Sequence, residues 1–185
     1  MRVIGGKYGG RRLKIPKAVS INPTQDRVRE AVFNILRVKV ESASVLDLFA
    51  GSGAFGIEAL SRGAEEVLFV EKDGRCISTI KDNLESLAIS IGTKIWCMDA
   101  LAALKKLEKG GPKFGLIFSD PPYHKGLAKK FLLTLDLCDI LLTSALIVLE
   151  HHKRDELAEE LVNLTLLRTY SYGEKRISLY NNIKR

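Results

Sequence analysis

The chain has 185 residues, 46% of them hydrophobic and 28% charged, with 29 Lys and Arg against 22 Asp and Glu. That length suits one domain, and the balance of apolar and charged residues argues against disorder, a collagen-like repeat or a membrane protein. The longest apolar candidate, Ile140 to Leu149, falls short of the roughly 20 residues a spanning helix needs and carries Thr143 and Ser144. The opening Met1-Arg2-Val3-Ile4-Gly5-Gly6-Lys7 lacks the apolar stretch of a secretory signal, so a cytoplasmic protein is expected. Cys76, Cys97 and Cys138 form no Cys-x-x-Cys pair and read as buried reduced thiols.

Val3-Ile4 and Leu13-Lys14-Ile15 flank Gly5-Gly6-Lys7-Tyr8-Gly9-Gly10-Arg11-Arg12 and read as a short hairpin. Asn22-Pro23-Thr24 is a stop followed by a helix start, with Thr24 as N-cap and Asp26 favouring the helix dipole. Val28, Val32, Ile35 and Leu36 give that helix one apolar stripe through about Val38. Residues 1–40 hold ten basic and two acidic residues, a net +8, while residues 41–185 sum to −1. The expected organisation is a basic N-terminal extension (1–40, hairpin and helix) packed on a catalytic domain (41–185). A basic arm on a neutral body suits a polyanionic partner, whose counterions it would release.

Ser44 to Phe49 is a short apolar run ending at Ala50-Gly51-Ser52-Gly53, with helical spacing at Ile57, Leu60 and Ala64. Strand, helix, strand and helix follow at 66–70 (ending at Glu71), 74–88, 93–97 and 100–108. Residues 114–119 read as strand, 126–137 as helix, 145–150 as strand and 153–161 as a charged helix. Two β-like runs, 164–172 and 175–182, close the chain around a turn at Gly173-Glu174. Nearly all-apolar strands alternating with helices indicate a parallel sheet covered on both faces. The final pair, joined by a short turn, must be antiparallel. The expected fold is therefore α/β: a doubly wound, mostly parallel seven-stranded sheet with an antiparallel terminal strand, plus the N-terminal hairpin and helix.

Gly51-x-Gly53-x-x-Gly56 follows a strand and opens a helix, and Glu71 lies 20 positions beyond Gly51. This satisfies a dinucleotide fingerprint and equally a site for a nucleoside-bearing methyl donor, since both place a ribose against an acid at the second strand's end. Three features favour the methyl donor. Asp47 lies inside the strand end, where a carboxylate can hold a cationic amino-acid moiety but would repel a pyrophosphate. Asp99-Ala100 follows the third strand, where an acid and an adjacent N–H can read an adenine edge. The fourth strand ends in Asp120-Pro121-Pro122-Tyr123. An exocyclic amine on a nucleobase is a poor nucleophile, because its lone pair is delocalised into the ring. The Asp120 carboxylate and Pro121 carbonyl could accept its two N–H bonds and stabilise the positive charge that grows there. Pro122 stiffens the loop. Tyr123 offers a face on which the base stacks, worth about 1–3 kcal/mol.

These residues carry a resemblance. Asp47-Leu-Phe-Ala-Gly51-Ser-Gly53 resembles the first motif of class I S-adenosylmethionine-dependent methyltransferases, and Asp120-Pro-Pro-Tyr123 resembles their amino-methylating motif. Arg2 to Leu13, Pro23 to Asn34, Asp47 to Ala64 and Tyr172-Gly173 are similar to the bacterial RsmD family, across essentially the whole chain. Asn22 departs from the Arg usual there. The resemblance implies a Rossmann-like methyltransferase that uses S-adenosylmethionine to methylate N2 of one guanine in 16S ribosomal RNA. It implies that Asp47, Phe49, Gly51 and Gly53 line the methionine part of the cofactor, that Glu71 takes the ribose, and that Asp99 with Ala100 takes the adenine. Asp120, Pro121, Pro122 and Tyr123 would hold the guanine, and Lys7, Arg11, Arg12, Arg27 and Arg29 would grip RNA phosphates.

A monomer acting on an assembled or partly assembled small subunit is expected, because one domain leaves much of the recognition to the substrate. No metal site is expected, as His151-His152 lacks partners at ligand spacing. His124 reads as a loop residue, Trp96 as core, and Lys105, Lys106, Lys129 and Lys130 as solvated helix faces. The competing readings are an amino-methyltransferase of another RNA or of DNA, a nicotinamide oxidoreductase, and a noncatalytic RNA-binding module.

Overall fold

The computed structural model describes residues 1–16 and 26–184. The expected cap at Thr24 and the departure at Asn22 lie outside them. The elements run α1 (Asp26–Leu36), β1 (Ser44–Leu48), α2 (Ala54–Ser61), β2 (Glu66–Glu71), α3 (Gly74–Ser86), β3 (Thr93–Cys97) and α4 (Ala100–Leu107). They continue as β4 (Phe114–Ser119), α5 (Leu127–Leu137), β5 (Leu141–His152), β6 (Leu164–Tyr172) and β7 (Lys175–Asn182). The strands form one seven-stranded sheet in the order β3-β2-β1-β4-β5-β7-β6. β1 to β5 are parallel, and β7 runs antiparallel to both neighbours.

Alternating strand residues feed two cores. Val45, Val67, Phe69, Leu116 and Phe118 face α1, α2 and α3, whereas Leu46, Leu48, Leu68, Val70 and Ile117 face α4 and α5. A sheet buried on both faces needs apolar residues at successive positions, which is why these strands read as unbroken runs. Phe118 stacks on Phe55 at 4.9 Å and lies 5.4 Å from Phe33, tying β4, α2 and α1 together. Each such pair adds about 0.5–1.5 kcal/mol beyond the area it buries. Gly56 lets α2 lie against the sheet: a Cβ there would come within 2.3 Å of the Phe69 ring.

The N-terminal hairpin reduces to one bridge, Arg2 with Arg12, around a 3-10 turn at Gly6–Tyr8. It docks on α2 instead of extending its own ladder. Buried Glu58 accepts from Ile4 N (2.6 Å), Gly5 N (3.0 Å) and Arg62 Nε (2.7 Å). Ser61 Oγ accepts from Tyr8 N and donates to Gly5 O. Gly6 has φ +74°, and a Cβ on it would sit 1.9 Å from Ser61 O.

The charged helix expected at 153–161 is absent. Those residues form a turn and an extended strap. Carboxylates fix both of its ends. Asp155 accepts from His152 N and His124 N, and Asp136 of α5 accepts from Val162 N, Asn163 N and Leu164 N. Too few residues remain between these anchors for a stable helix. Cys76 and Cys138 are buried as expected, but Cys97 is exposed because β3 is an edge strand. No helix among the described residues is long and apolar enough to cross a membrane.

Candidate active site

The strand order reverses between β1 and β4, and the chain leaves their carboxyl ends in opposite directions. Ligands in open α/β sheets bind at such a crevice. Register places Leu48 opposite Ser119 and Glu71 opposite Cys97, so β1, β2, β3 and β4 end along one rim. Asp47, Glu71, Asp99 and Asp120 stand at these four ends.

The glycine loop leaves β1 through Phe49, whose φ of +57° is costly for a bulky residue. Three bonds hold it there. Ala50 N donates to Val70 O (3.1 Å), Gly53 N to Ala50 O (2.7 Å) and Gly51 N to Glu71 Oε2 (2.9 Å). Gly51 and Gly53 also have positive φ. Glu71 Oε1 accepts from Lys72 N and Asp73 N, so one carboxylate shapes the loops that follow both β1 and β2. Asp47 is buried and accepts from Gly56 N (2.9 Å) in the first turn of α2. Burial pushes its carboxyl up to about 8; the bond from Gly56 works against this and Glu71 adds to it. A cationic group at this position would relieve that penalty, so the donor set fits the amino-acid end of a sulfonium nucleoside. Asp99 is exposed and caps α4 with Oδ1 alone, accepting from Leu101 N (2.9 Å) and Ala102 N (3.1 Å). Ala100 is buried.

Asp120 is partly buried, Pro121 buried and Pro122 exposed. Tyr123 Oη donates to Glu150 Oε1 at 2.6 Å, and Lys175 Nζ reaches the same oxygen at 2.6 Å. His152 flanks the Tyr123 ring at 5.8 Å between centroids. Burial, then Asp120 and Glu150, push the phenol well above its ordinary range, so it stays protonated. Glu150, Lys175, His152 and Asp155 were not among the site residues expected from the sequence. Glu150 alone had a signal: it is an acid closing an apolar strand, like Glu71.

The arm is only partly where phosphates would need it. Lys7, Arg11, Arg12 and Arg27 are exposed. Arg29 is not: it is fully buried and donates to Arg2 O and Asp26 Oδ1, tying the first strand segment to α1. Its expected role on RNA is withdrawn, because a buried guanidinium engaged in this way cannot reach a phosphate. Lys7 sits at the C-terminal end of α2, one helix length (about 12 Å) from the glycine loop. Arg11 Nη2 donates to Ser86 O at the end of α3.

Residues 1–181 match the family described as Conserved hypothetical protein 95. The chain belongs to this family. The match bears out the resemblance to the RsmD family drawn from the arm and the two motifs. As a member of the Conserved hypothetical protein 95 family, it is 39% identical to YlbH of Bacillus subtilis over 97% of this chain and 98% of that one. It is 35% identical to Ribosomal RNA small subunit methyltransferase D of Escherichia coli (strain K12), over 97% of this chain and 89% of that one. The solved structure of yhhF from Escherichia coli superposes with a TM-score of 0.87 at 33% identity, covering 98% and 97% of the two chains.

Proposed function

We propose that the protein transfers the methyl group of S-adenosylmethionine to the exocyclic N2 amine of a guanine in 16S ribosomal RNA. The observation that carries this reading is the rim itself. A buried carboxyl suited to a cation, Glu71 at the end of β2 beside the glycine loop, and Asp-Pro-Pro-Tyr lie side by side, in a family with a relative named for small-subunit ribosomal RNA methylation. The cofactor, when bound, supplies an electrophilic methyl group. The chain's own residues do the rest. Asp47 faces the cofactor's ammonium, Glu71 its ribose hydroxyls, and Asp99 with the N–H of Ala100 its base. Phe49, Gly51 and Gly53 form the wall against which it lies.

Opposite them, the Asp120 carboxylate and Pro121 carbonyl accept the two N–H bonds of the amine. This holds its lone pair toward the methyl group and stabilises the charge that develops. The base must leave its stack to arrive there, and Tyr123 gives it a new one. Lys7, Arg11, Arg12 and Arg27 contact phosphates away from the rim. One domain leaves much of the recognition to the substrate, which suits a monomer working on an assembled or partly assembled small subunit in the cytoplasm.

The test is incubation with radiolabelled S-adenosylmethionine and unmodified small subunits, followed by mapping of the labelled nucleotide. Label on a guanine N2 of 16S RNA is expected. Asp120→Ala should abolish transfer while leaving S-adenosylhomocysteine affinity near that of the wild type. Label on another base, or full transfer by Asp120→Ala, would sink the reading.

A further inference from the structure

The proposed transfer leaves one buried charge pair without a task. Glu150 is 1% exposed near the end of β5, and its partner Lys175, at the start of β7, is 12% exposed. β7 pairs antiparallel with β5, placing Lys175 opposite His152, two residues beyond Glu150 and on the same face. The ammonium therefore reaches back diagonally to Glu150 Oε1, the oxygen that also receives the Tyr123 hydroxyl. Lys175 Nζ lies 5.9 Å from the Tyr123 ring centroid, and His152 packs against that ring. Asp155 completes the clamp by binding the backbone N–H of both His124 and His152, which joins the end of the Asp-Pro-Pro-Tyr loop to the end of β5.

A buried ion pair adds little to net stability, because desolvation consumes most of its attraction. What it supplies here is direction. A tyrosine hydroxyl free in solvent would leave the ring to swing about χ1. One that donates to a fixed, charge-supported oxygen holds its face at a set angle beside Asp120. We propose that Glu150 and Lys175 are positioning residues for methyl transfer, acting through Tyr123 to fix the plane on which the target base stacks. This inference rests on the function proposed above. It adds β7, remote in sequence from both motifs, to the parts that build the active site.

The experiment compares single-turnover and steady-state transfer to unmodified small subunits by the full-length wild type, Glu150→Ala, Glu150→Gln, Lys175→Met, Tyr123→Phe and the double variant Glu150→Ala/Tyr123→Phe. A base stacked at the wrong angle slows the chemical step, so Glu150→Ala, Lys175→Met and Tyr123→Phe should each lower kcat about tenfold or more. KM for the particle and affinity for S-adenosylhomocysteine should stay within about twofold, as neither depends on ring angle. Glu150→Gln keeps an acceptor and should recover most of kcat. The double variant should be no slower than its slower parent, since both changes remove one bond.

Wild-type kcat in Glu150→Ala, or losses that multiply in the double variant, would overturn the inference and leave the proposed function standing. Absence of transfer by the wild type would overturn both. Should Glu150→Ala fail to fold, Tyr123→Phe removes the same bond without disturbing the buried carboxylate, and wild-type kcat there would overturn the inference.

Discussion

Asp47 joins the first strand to the proposed cofactor chemistry. Its carboxyl titrates near 8 in the folded chain against 3.8 in an unfolded one. The native state therefore binds more protons than the unfolded state between those values, and stability falls as pH rises through that window. Asp47→Asn keeps an acceptor for Gly56 N and removes the titration. Urea midpoints at pH 5, 7 and 9 should decline for the wild type and stay level for Asp47→Asn. The same residue predicts a ligand effect. A cation favours the ionised carboxylate, so S-adenosylhomocysteine affinity measured by calorimetry should rise between pH 6 and pH 8. Asp47→Asn should bind about tenfold more weakly, with no such rise.

Among the elements, the N-terminal hairpin is held less by its own ladder than by α2. Gly6→Ala would drive a Cβ into the Ser61 carbonyl at a backbone φ that disfavours side chains. Neither atom is the end of a flexible side chain, so the turn must detach. A loss of about 1–3 kcal/mol is expected in urea unfolding, with faster proteolysis confined to the first residues. This docking was hidden in the sequence. The glycines read as part of a hairpin turn, but Gly5 and Gly6 are small because the end of helix α2 passes beneath them.

Strands were legible where a run ended at an acid or a glycine, as at 114–119 before Asp120 and 164–172 before Gly173, and 175–182 followed from the turn at Gly173-Glu174. Residues 153–161 read as a helix because Glu-Leu-Ala-Glu-Glu-Leu has a helical rhythm, and nothing local announces that Asp136 and Asp155 anchor both ends. The acids at the first four strand ends were legible for the same reason as the strands. The clamp on Tyr123 was not, since it depends on β5 pairing with a strand 25 residues away.

At the scale of the whole molecule, the net charge of +7 resides in the arm, and the arm runs from near the glycine loop to the far end of α2. Over about 12 Å such a track meets only a few neighbouring phosphates, so on the function proposed above it would grip one stretch of RNA backbone. Charge reversal of Arg11 and Arg12 to Glu should weaken RNA binding at all sequences alike. It should also lower the slope of log affinity against log salt by about 0.7–0.9 for each phosphate that is no longer neutralised. Filter binding at several potassium concentrations measures it; an unchanged slope would remove these two residues from the interface.

β7 is the last strand in the chain but not the last in the sheet, for it lies between β5 and β6. While the polypeptide is still emerging from its own ribosome, the glycine loop, Asp-Pro-Pro-Tyr and even β6 exist before the strip of backbone meant to separate β5 from β6. A nascent chain halted before Lys175 would carry both signature motifs and Glu150, yet lack the ammonium that braces the oxygen receiving the Tyr123 hydroxyl. On the function proposed above, the rim would be assembled before the strand that braces it, so a product truncated ahead of β7 would bind substrate more readily than it modified it.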